Sequence, residues 1–426
     1  MHPHPIRPSP VPVLLAALVG TIGCAGESQS AAEWDGTVRD SAGVTIVENY
    51  GEPLWREEDR WTLKEVLRIG TVAGEPEYQF GNITGLGVLS DGRVVVADAM
   101  AQNLRFYSPD GVYIQTVGEP GSGPGQFGGW LHLMVGPGDT LVVYDWPNIR
   151  VNWLAPDGTW LGSQSLTPDD GWEMLEWEDD PLGRIVTMMG AMRYPGAPVT
   201  DTLDLILARD IRGAVLDTLG RVPSSLNNAV SGDATHVYFH PGASDVALTW
   251  DGGMVTGRSD QYRLLRYDST GRLERIVSLE RERLPFTSQD RDVIMNRLED
   301  MWRNNEVPPA RIAQLRSLFH FSDTYPAWQR FACGPEGTLW VQQILPYTEL
   351  SPEAKKNLFI GYDPVAAHRW DVFDREGRYL GVVGEPEGFI WFRTVDDMMY
   401  GFWNDELDVQ HVMVLHIEGL PAPDEI

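Results

Sequence analysis

Cysteine is almost absent from this sequence, with Cys24 and Cys333 the two in 426 residues. Because Cys24 follows an apolar N-terminal run, Cys333 is left without an intramolecular partner, and a disulfide-stapled fold is excluded. Its neighbours Phe331 and Ala332 are apolar, which predicts a buried, unreactive thiol. No Cys-x-x-Cys-His stretch occurs, which gives no support to a c-type haem electron-transfer protein.

The common catalytic motifs are also missing. There is no Gly-x-Ser-x-Gly, no His-Glu-x-x-His and no Walker loop, so the sequence lacks the signatures of serine hydrolases, zincins and P-loop enzymes. The glycine-rich stretch 120–125 is not followed by a helical pattern and is therefore not a phosphate loop.

Positive charge is in short supply. The chain has 33 basic and 61 acidic side chains and a formal net charge of −28. Such a chain repels nucleic acid, which we therefore exclude as a partner, and it also repels anionic membrane surfaces. Cations and neutral or basic partners remain compatible with this charge.

Long hydrophobic runs are lacking apart from a short one at the N-terminus. Val11 to Ile22 follows Arg7 and is too short to span a bilayer, so residues 1–23 are predicted to be a signal peptide. Gly23-Cys24 directly after this run resembles a bacterial lipobox, although Thr21 stands where leucine is usual. The resemblance implies lipidation of Cys24, a tether over 24–35, and export to the bacterial cell envelope, on its periplasmic side or outer surface. An ordinary secretory signal is the alternative.

What the chain has in abundance is repetition. Residues 80–111 and 127–158 follow one pattern: Phe, an apolar strand, an Asp-Gly-type turn, a β-branched strand ending in Asp, then Asn-x-Arg, an apolar strand and Pro-Asp-Gly. Each unit holds two strand–turn–strand signals. Two hairpins give four strands, which is one blade of a β-propeller.

The two kinds of turn occur in unequal numbers. An inner turn recurs six times, at 91–92, 138–139, 182–183, 251–252, 336–337 and 396–397, whereas an outer turn recurs five times, at 110–111, 157–158, 212–213, 270–271 and 376–377. The last blade therefore lacks its outermost strand. We predict an all-β, six-bladed propeller over 36–426 that is closed by an N-terminal strand, either 61–70 or 43–49.

One segment departs from the β pattern. Thr287 and Asp290 form a capping box before apolar residues at helical spacing, and a second helix begins near Pro309, which predicts a helical hairpin over about 287–320. We expect its apolar face to pack on the propeller. The longest connections all emerge on one face, called here the elaborated face, and we expect function to lie there.

The stretch 118–150 resembles the NHL repeat. It carries Gly118-Glu-Pro-Gly-Ser-Gly-Pro-Gly-Gln-Phe127, an apolar strand, Asp145 and Asn148-Ile-Arg150, and the first unit matches at 79–105. As a whole the chain looks like the NHL-like six-bladed propeller lipoproteins of bacteria. Asp98 and Asp145 close the second strand of their units, and we assign them a structural role, bonding backbone at the loop.

Polar residues interrupt the apolar pattern at equivalent positions of the innermost strands. They are His132, Glu176, Asp245 and Arg330, with Trp130 and Trp328 two residues before the first and last. We expect these six to form a ligand site near the channel mouth on the elaborated face, with the tryptophans stacking on a sugar or planar group. Propeller channels are also water-filled, and polar residues line them without any ligand, which is the more common case.

A metal site is a second hypothesis for these innermost-strand residues. His132, Glu176 and Asp245 are the candidate ligands for Zn²⁺ or Ca²⁺, and His236 and His240 lie in a loop leading to them.

Two functions stay open. One is a lipid-anchored binding or scaffolding module whose partner is an envelope protein, a peptide or a saccharide. The other is a metal-dependent hydrolase or lyase, similar to lactonases or NHL lyases, with its site at the channel mouth.

Overall fold

The computed structural model describes residues 34–165, 172–179, 184–191, 203–223, 228–231, 234–239, 244–352, 355 and 365–420. Six sheets stand in a ring, five of them with four strands and one with six, so the predicted six-bladed propeller is confirmed. Cys24, the predicted signal peptide 1–23 and most of the predicted tether 24–35 lie outside the described residues.

The first half of the described chain holds three N-terminal strands and three blades. The N-terminal strands are β1 (Gly36–Ser41), β2 (Val44–Asn49) and β3 (Thr62–Ile69). Blade 1 contains β4 (Ile83–Val88), β5 (Val94–Asp98), β6 (Asn103–Tyr107) and β7 (Tyr113–Val117). A short pair follows, β8 (Glu119–Pro120) and β9 (Gln126–Phe127). Blade 2 contains β10 (Leu131–Val135), β11 (Leu141–Asp145), β12 (Arg150–Leu154) and β13 (Trp160–Ser165). Blade 3 contains β14 (Trp172–Asp179), β15 (Ile185–Ala191), β16 (Leu203–Arg209) and β17 (Val215–Pro223).

The second half holds blades 4 to 6 and a small inserted cap. Strands β18 (Asn228–Ser231) and β19 (Ala234–Phe239) precede blade 4, which contains β20 (Ser244–Leu248), β21 (Met254–Arg258), β22 (Arg263–Tyr267) and β23 (Leu273–Leu279). Helices α1 (Ser288–Asn304) and α2 (Pro309–Arg316) and strand β24 (Phe319–Phe321) follow. Blade 5 contains β25 (Phe331–Cys333), β26 (Leu339–Leu345), β27 (Val365–Phe373) and β28 (Tyr379–Gly384). Blade 6 contains β29 (Phe389–Val395), β30 (Met398–Asn404) and β31 (Gln410–Glu418).

An N-terminal strand completes blade 6, as the turn count predicts. Strand β3 pairs antiparallel with β31, so residues 61–70 close the ring. The other candidate, 43–49, is wrong as a closing strand. Strand β2 instead pairs in parallel with β23, and with β1 it extends blade 4 to six strands.

The segment between β2 and β3 runs along the outside of blade 5. Asn49 is 1% exposed and joins two blades: its Nδ2 donates to the carbonyls of Ser278 and Gly377, and its Oδ1 accepts from the Tyr379 N–H. The Trp55 N–H then donates to the carbonyl of Leu380 in β28. The N-terminal segment therefore connects blades 4, 5 and 6 along their outer edges.

The cores lie between neighbouring blades, where apolar strand faces meet. The largest aromatic group lies where β3 and blade 6 meet blade 5 and contains Trp61, Trp340, Trp370 and Trp391. The ring centroids of Trp370 and Trp391 are 5.1 Å apart in an edge-to-face arrangement, which aromatic pairs prefer.

The helical insertion forms as predicted. Thr287 Oγ1 accepts from the Asp290 N–H while the Asp290 carboxylate accepts from the Thr287 N–H, which completes the capping box. Ile294 and Leu298 of α1 pack on Phe286 and on Ile344 of blade 5, so the apolar face does pack on the propeller. Strands β18, β19 and β24 form a small sheet beside the helices. Among the described residues, no helix is both long and apolar enough to cross a membrane.

Candidate functional site: the central channel

A cavity of about 1000 Å³ occupies the centre of the ring. Innermost strands of blades 2, 4, 5 and 6 line it, and its charged and aromatic lining includes Asp245, Trp250, Arg330, Glu336, Trp391, Phe392, Arg393 and Asp396. The cavity extends from Asp245 and Arg330, at the starts of their strands, to the inner hairpin turns. Those turns lie on the face of the propeller opposite to the elaborated face. The cavity therefore reaches that opposite face and is not confined to the channel mouth predicted on the elaborated face.

Asp245 and Arg330 meet at the junction of blades 4 and 5. The Asp245 Oδ2 atom accepts from the Phe331 N–H at 2.9 Å, which joins the innermost strands of the two blades. Arg330 Nε donates to Gln342 Oε1 at 3.1 Å, and its guanidinium lies 5.3 Å from the ring centroid of Trp370. Two of the four predicted polar residues therefore come together, each already held by protein atoms.

A buried acid that the sequence analysis missed continues this network. Glu385 is 8% exposed, and its carboxylate accepts from Gln342 Nε2 at 3.2 Å and from Trp370 Nε1 at 2.7 Å. Burial raises the pKa of Glu385 to about 7, although Trp370, Arg330 and Gln342 act in the opposite direction. The network runs outward from the channel through blade 5.

A signal for Glu385 was present in the repeat. The phrase Gly-Glu-Pro occurs four times, at 51–53, 74–76, 118–120 and 384–386. In the first three copies the glutamate, Glu52, Glu75 or Glu119, is exposed, whereas in the fourth it is buried. The Gly-Glu-Pro phrase therefore identifies the position of Glu385 in the sequence but does not predict that its side chain is buried.

The other members of the predicted ring lie apart from this pair. His132 on β10 is half-buried beside Tyr144, with burial lowering the pKa of its imidazole, and it is not among the residues that line the cavity. Trp130 is 54% exposed and also lies outside the cavity lining. Glu176 belongs to β14 next to a register shift, and its side chain is outside the described residues.

Trp328 requires a correction. Its side chain is fully buried in the core between blades 4 and 5, and its Nε1 donates to the carbonyl of Gln261 at 3.0 Å. An indole with no exposed face cannot stack on a ligand. The position two residues before Arg330 faces the blade interface rather than the channel.

The histidines proposed as metal ligands are placed elsewhere. His236 on β19 pairs with His320 on β24, with 2.8 Å between Nδ1 and Nε2, and His240 is outside the described residues. In the part of the chain that the structure describes, no group of three or more His, Cys, Asp or Glu side chains could hold a metal ion. His132 and Asp245 thus form no Zn²⁺ or Ca²⁺ site with other described residues.

Trp391 and Thr394 of the cavity lining each carry a buried polar side-chain atom. Trp391 Nε1 and Thr394 Oγ1 have no hydrogen-bond partner among the described residues. A buried donor or hydroxyl without a partner is costly, so these two atoms lower the stability of blade 6. Cys333, the one cysteine in the described ranges, also lines the cavity and is half-buried rather than fully buried as predicted.

Asp98 and Asp145, the aspartates shared by the two repeat units, make the backbone contacts expected of a structural role. Asp98 is fully buried and accepts from the N–H groups of Gly81, Asn82, Met100 and Ala101, and its Oδ2 lies 3.4 Å from Arg105. Asp145 is also fully buried and makes the equivalent loop contact with the Gly128 N–H. These carboxylates hold the loops of blades 1 and 2 and are not part of the channel site.

Comparison with solved structures shows the same fold. A member of the DUF4221 family from Bacteroides vulgatus matches with a TM-score of 0.52 at 10% identity, over 85% of this chain and 99% of that one. A protein from Bacteroides fragilis described as exported gives 0.49 at 11% identity, over 88% and 99%. A gluconolactonase from Xanthomonas campestris gives 0.41 at 9% identity, over 83% and 98%. At sequence identities this low, the similarity shows a shared fold and nothing about function. No family model matches the sequence, and no curated protein does.

Proposed function

We propose that this chain is an envelope binding module whose central channel takes a saccharide that carries a carboxylate. The observation that carries the proposal is the cavity of about 1000 Å³, lined by aromatic and arginine side chains from several blades. A volume of this size is at the upper end of that found for small-molecule sites. The lipobox-like Cys24 supports display of the propeller on a lipid anchor at the cell envelope, as expected for an NHL-like lipoprotein.

The chemistry of the lining favours a saccharide among the partner classes considered. Trp250 is 51% and Phe392 39% exposed, so both have ring surface available to the apolar face of a sugar. Arg330 and Arg393 reach the same cavity from blades 5 and 6. Guanidinium groups pair with carboxylates in a planar, two-pronged geometry, so these two arginines favour an acidic sugar, whereas Asp245, Glu336 and Asp396 of the same lining oppose one.

The alternative of a metal-dependent hydrolase or lyase has less support. It needs three or more protein ligands around one ion, and the described residues contain no such group. The channel residues Asp245 and Arg330 are engaged with backbone and with Gln342, which suits a rigid binding wall.

Cys333 provides a direct test of channel occupancy. Alkylation of Cys333 would be followed by peptide mass spectrometry in the full chain, with trigalacturonate or the neutral maltotriose added. We expect trigalacturonate to slow the alkylation and maltotriose to have no effect. In an Arg393→Gln variant the protection should be lost.

Two results would contradict the channel proposal. One is no protection by trigalacturonate at any concentration tested, and the other is equal protection of the wild-type and Arg393→Gln chains.

The proposed lipid anchor is tested by a separate experiment. A Cys24→Ser variant should leave the membrane fraction of expressing cells, and unchanged membrane association would refute lipidation at that residue.

A further inference from the structure

A second, smaller cavity lies at the junction between blades 4 and 5. Its volume is about 190 Å³, and it is lined by three arginines, Arg281, Arg283 and Arg369, together with Glu282 and Gln343. The residues come from the segment after β23 and from β26 and β27. It shares no lining residue with the channel cavity.

Three arginines around one small cavity are unexpected in a chain with a net charge of −28. Arg281 is neutralised by Asp371, to which its Nη2 donates at 3.0 Å. Arg283 instead donates Nε and Nη2 to the backbone carbonyl of Tyr325 at 3.0 and 2.8 Å. Within the described part of the chain, neither Arg283 nor Arg369 forms an ion pair. Glu282 contributes one opposing charge, so the lining retains excess positive charge.

One wall of this cavity is held rigidly. The Asp371 carboxylate is 1% exposed and accepts from Tyr262 Oη at 2.7 Å and Gln343 Nε2 at 2.8 Å, besides Arg281. Arg281 also lies over the rings of Tyr262 and Tyr379, at 5.8 and 5.9 Å from the centroids. Because its guanidinium is fixed before any ligand arrives, binding costs less side-chain entropy.

The size and charge of the cavity select the ligand class. A volume of about 190 Å³ is below that of sites for drug-sized molecules, so the cavity fits one compact charged group. A carboxylate offers two oxygens, whereas a phosphate or sulfate offers at least three, enough to contact several guanidinium groups at once. We infer that this cavity, between Arg281, Arg283 and Arg369, binds a tetrahedral oxyanion, either free or carried on a small molecule.

Isothermal titration calorimetry of the full chain with inorganic phosphate tests this inference. We expect saturable binding that weakens by about tenfold or more in an Arg369→Gln variant, since a charge-assisted contact is lost. Arg369 is exposed, so its substitution should leave the melting temperature unchanged. Arg311→Gln is the matched control because Arg311 is an exposed arginine on α2 that donates to Gln314.

The outcomes separate the possible ligands. Tighter binding of glycerol 3-phosphate than of inorganic phosphate would assign a phosphoryl group on a small molecule, and the reverse order would assign the free ion. The inference is overturned if phosphate shows no saturable binding, if acetate binds equally well, or if Arg311→Gln weakens phosphate as much as Arg369→Gln does. Arg393→Gln, which alters only the channel, should leave phosphate binding unchanged, so this test is independent of the channel proposal.

Discussion

The buried carboxyl of Glu385 predicts that this protein loses stability as the pH rises from about 4.5 toward neutrality. Its pKa is raised from 4.5 to about 7 because it is buried. The folded state therefore holds a proton that the unfolded state releases between these two values. Stability is highest below pH 4.5 with respect to this group, falls as the pH rises toward 7, and is then constant. The shift corresponds to about 3 kcal/mol.

Glu385→Gln removes this dependence because glutamine resembles the protonated acid in shape and charge. Its single side-chain oxygen can still accept one of the two hydrogen bonds, from Trp370 Nε1 or from Gln342 Nε2, as the carbonyl oxygen of a protonated glutamate does. Near pH 4.5 the variant and the wild type should have similar free energies of unfolding. At pH 8 the variant should be the more stable of the two by about 3 kcal/mol.

Urea denaturation at a series of pH values, followed by tryptophan fluorescence, measures both curves. Other groups titrate in the same window, among them His132 and His368, whose pKa values burial lowers. The difference between variant and wild type cancels their contributions. Glu75→Gln is the control, since Glu75 is the exposed glutamate of the Gly-Glu-Pro copy at 74–76 and its substitution should leave the pH dependence unchanged. Parallel curves for the wild type and Glu385→Gln would refute the reasoning.

Three further substitutions test the fold. Asp98→Ala leaves Arg105 and four loop N–H groups without their acceptor and should destabilise the chain by about 3 to 5 kcal/mol in urea denaturation, whereas a loss below 1 kcal/mol would contradict the loop role. Asn49→Leu removes the buried amide that joins blades 4 and 5 and should cost about 2 to 4 kcal/mol by the same measurement; an unchanged midpoint would contradict that link. Gly337 has a φ of +73°, and an added Cβ would lie 2.3 Å from Trp250 Nε1, so Gly337→Ala should lower the melting temperature. A part of that loss should disappear in a Trp250→Ala background, and no recovery would exclude the clash as its cause.

The propeller could be predicted because its evidence is local. Each turn has its own residue chemistry, and counting inner and outer turns separately is enough to show that one strand must come from the N-terminus. The placement of residues 43–49 could not be predicted in this way. Both N-terminal segments have the composition of an edge strand, and the choice depends on Asn49 fitting between Ser278 of blade 4 and Gly377 of blade 5, which are far away in sequence.

The candidate site was only partly predictable for a related reason. Alignment on the inner turns identifies equivalent positions, and Asp245 and Arg330 do line the channel. The same alignment cannot tell which face of a short strand Trp328 occupies, and it placed in the channel a side chain that is fully buried between blades. Burial of Glu385 depends on Trp370 and Gln342, two residues on other strands of blade 5. The sequence repeat therefore determines which residues occupy equivalent positions in the blades. The exposure and the protonation of each side chain depend instead on its contacts with residues on other strands.

The path of the N-terminal segment bears on the channel itself. The charged residues Asp245, Arg330 and Arg393 that line the cavity come from blades 4, 5 and 6. These are the same three blades that β2, the stretch around Trp55 and β3 join along their outer edges. A binding site needs its contacting groups held in fixed positions by the surrounding structure. The N-terminal segment supplies this restraint from outside the ring, so the relative positions of the channel charges depend on residues that pair with the outermost strands of these blades.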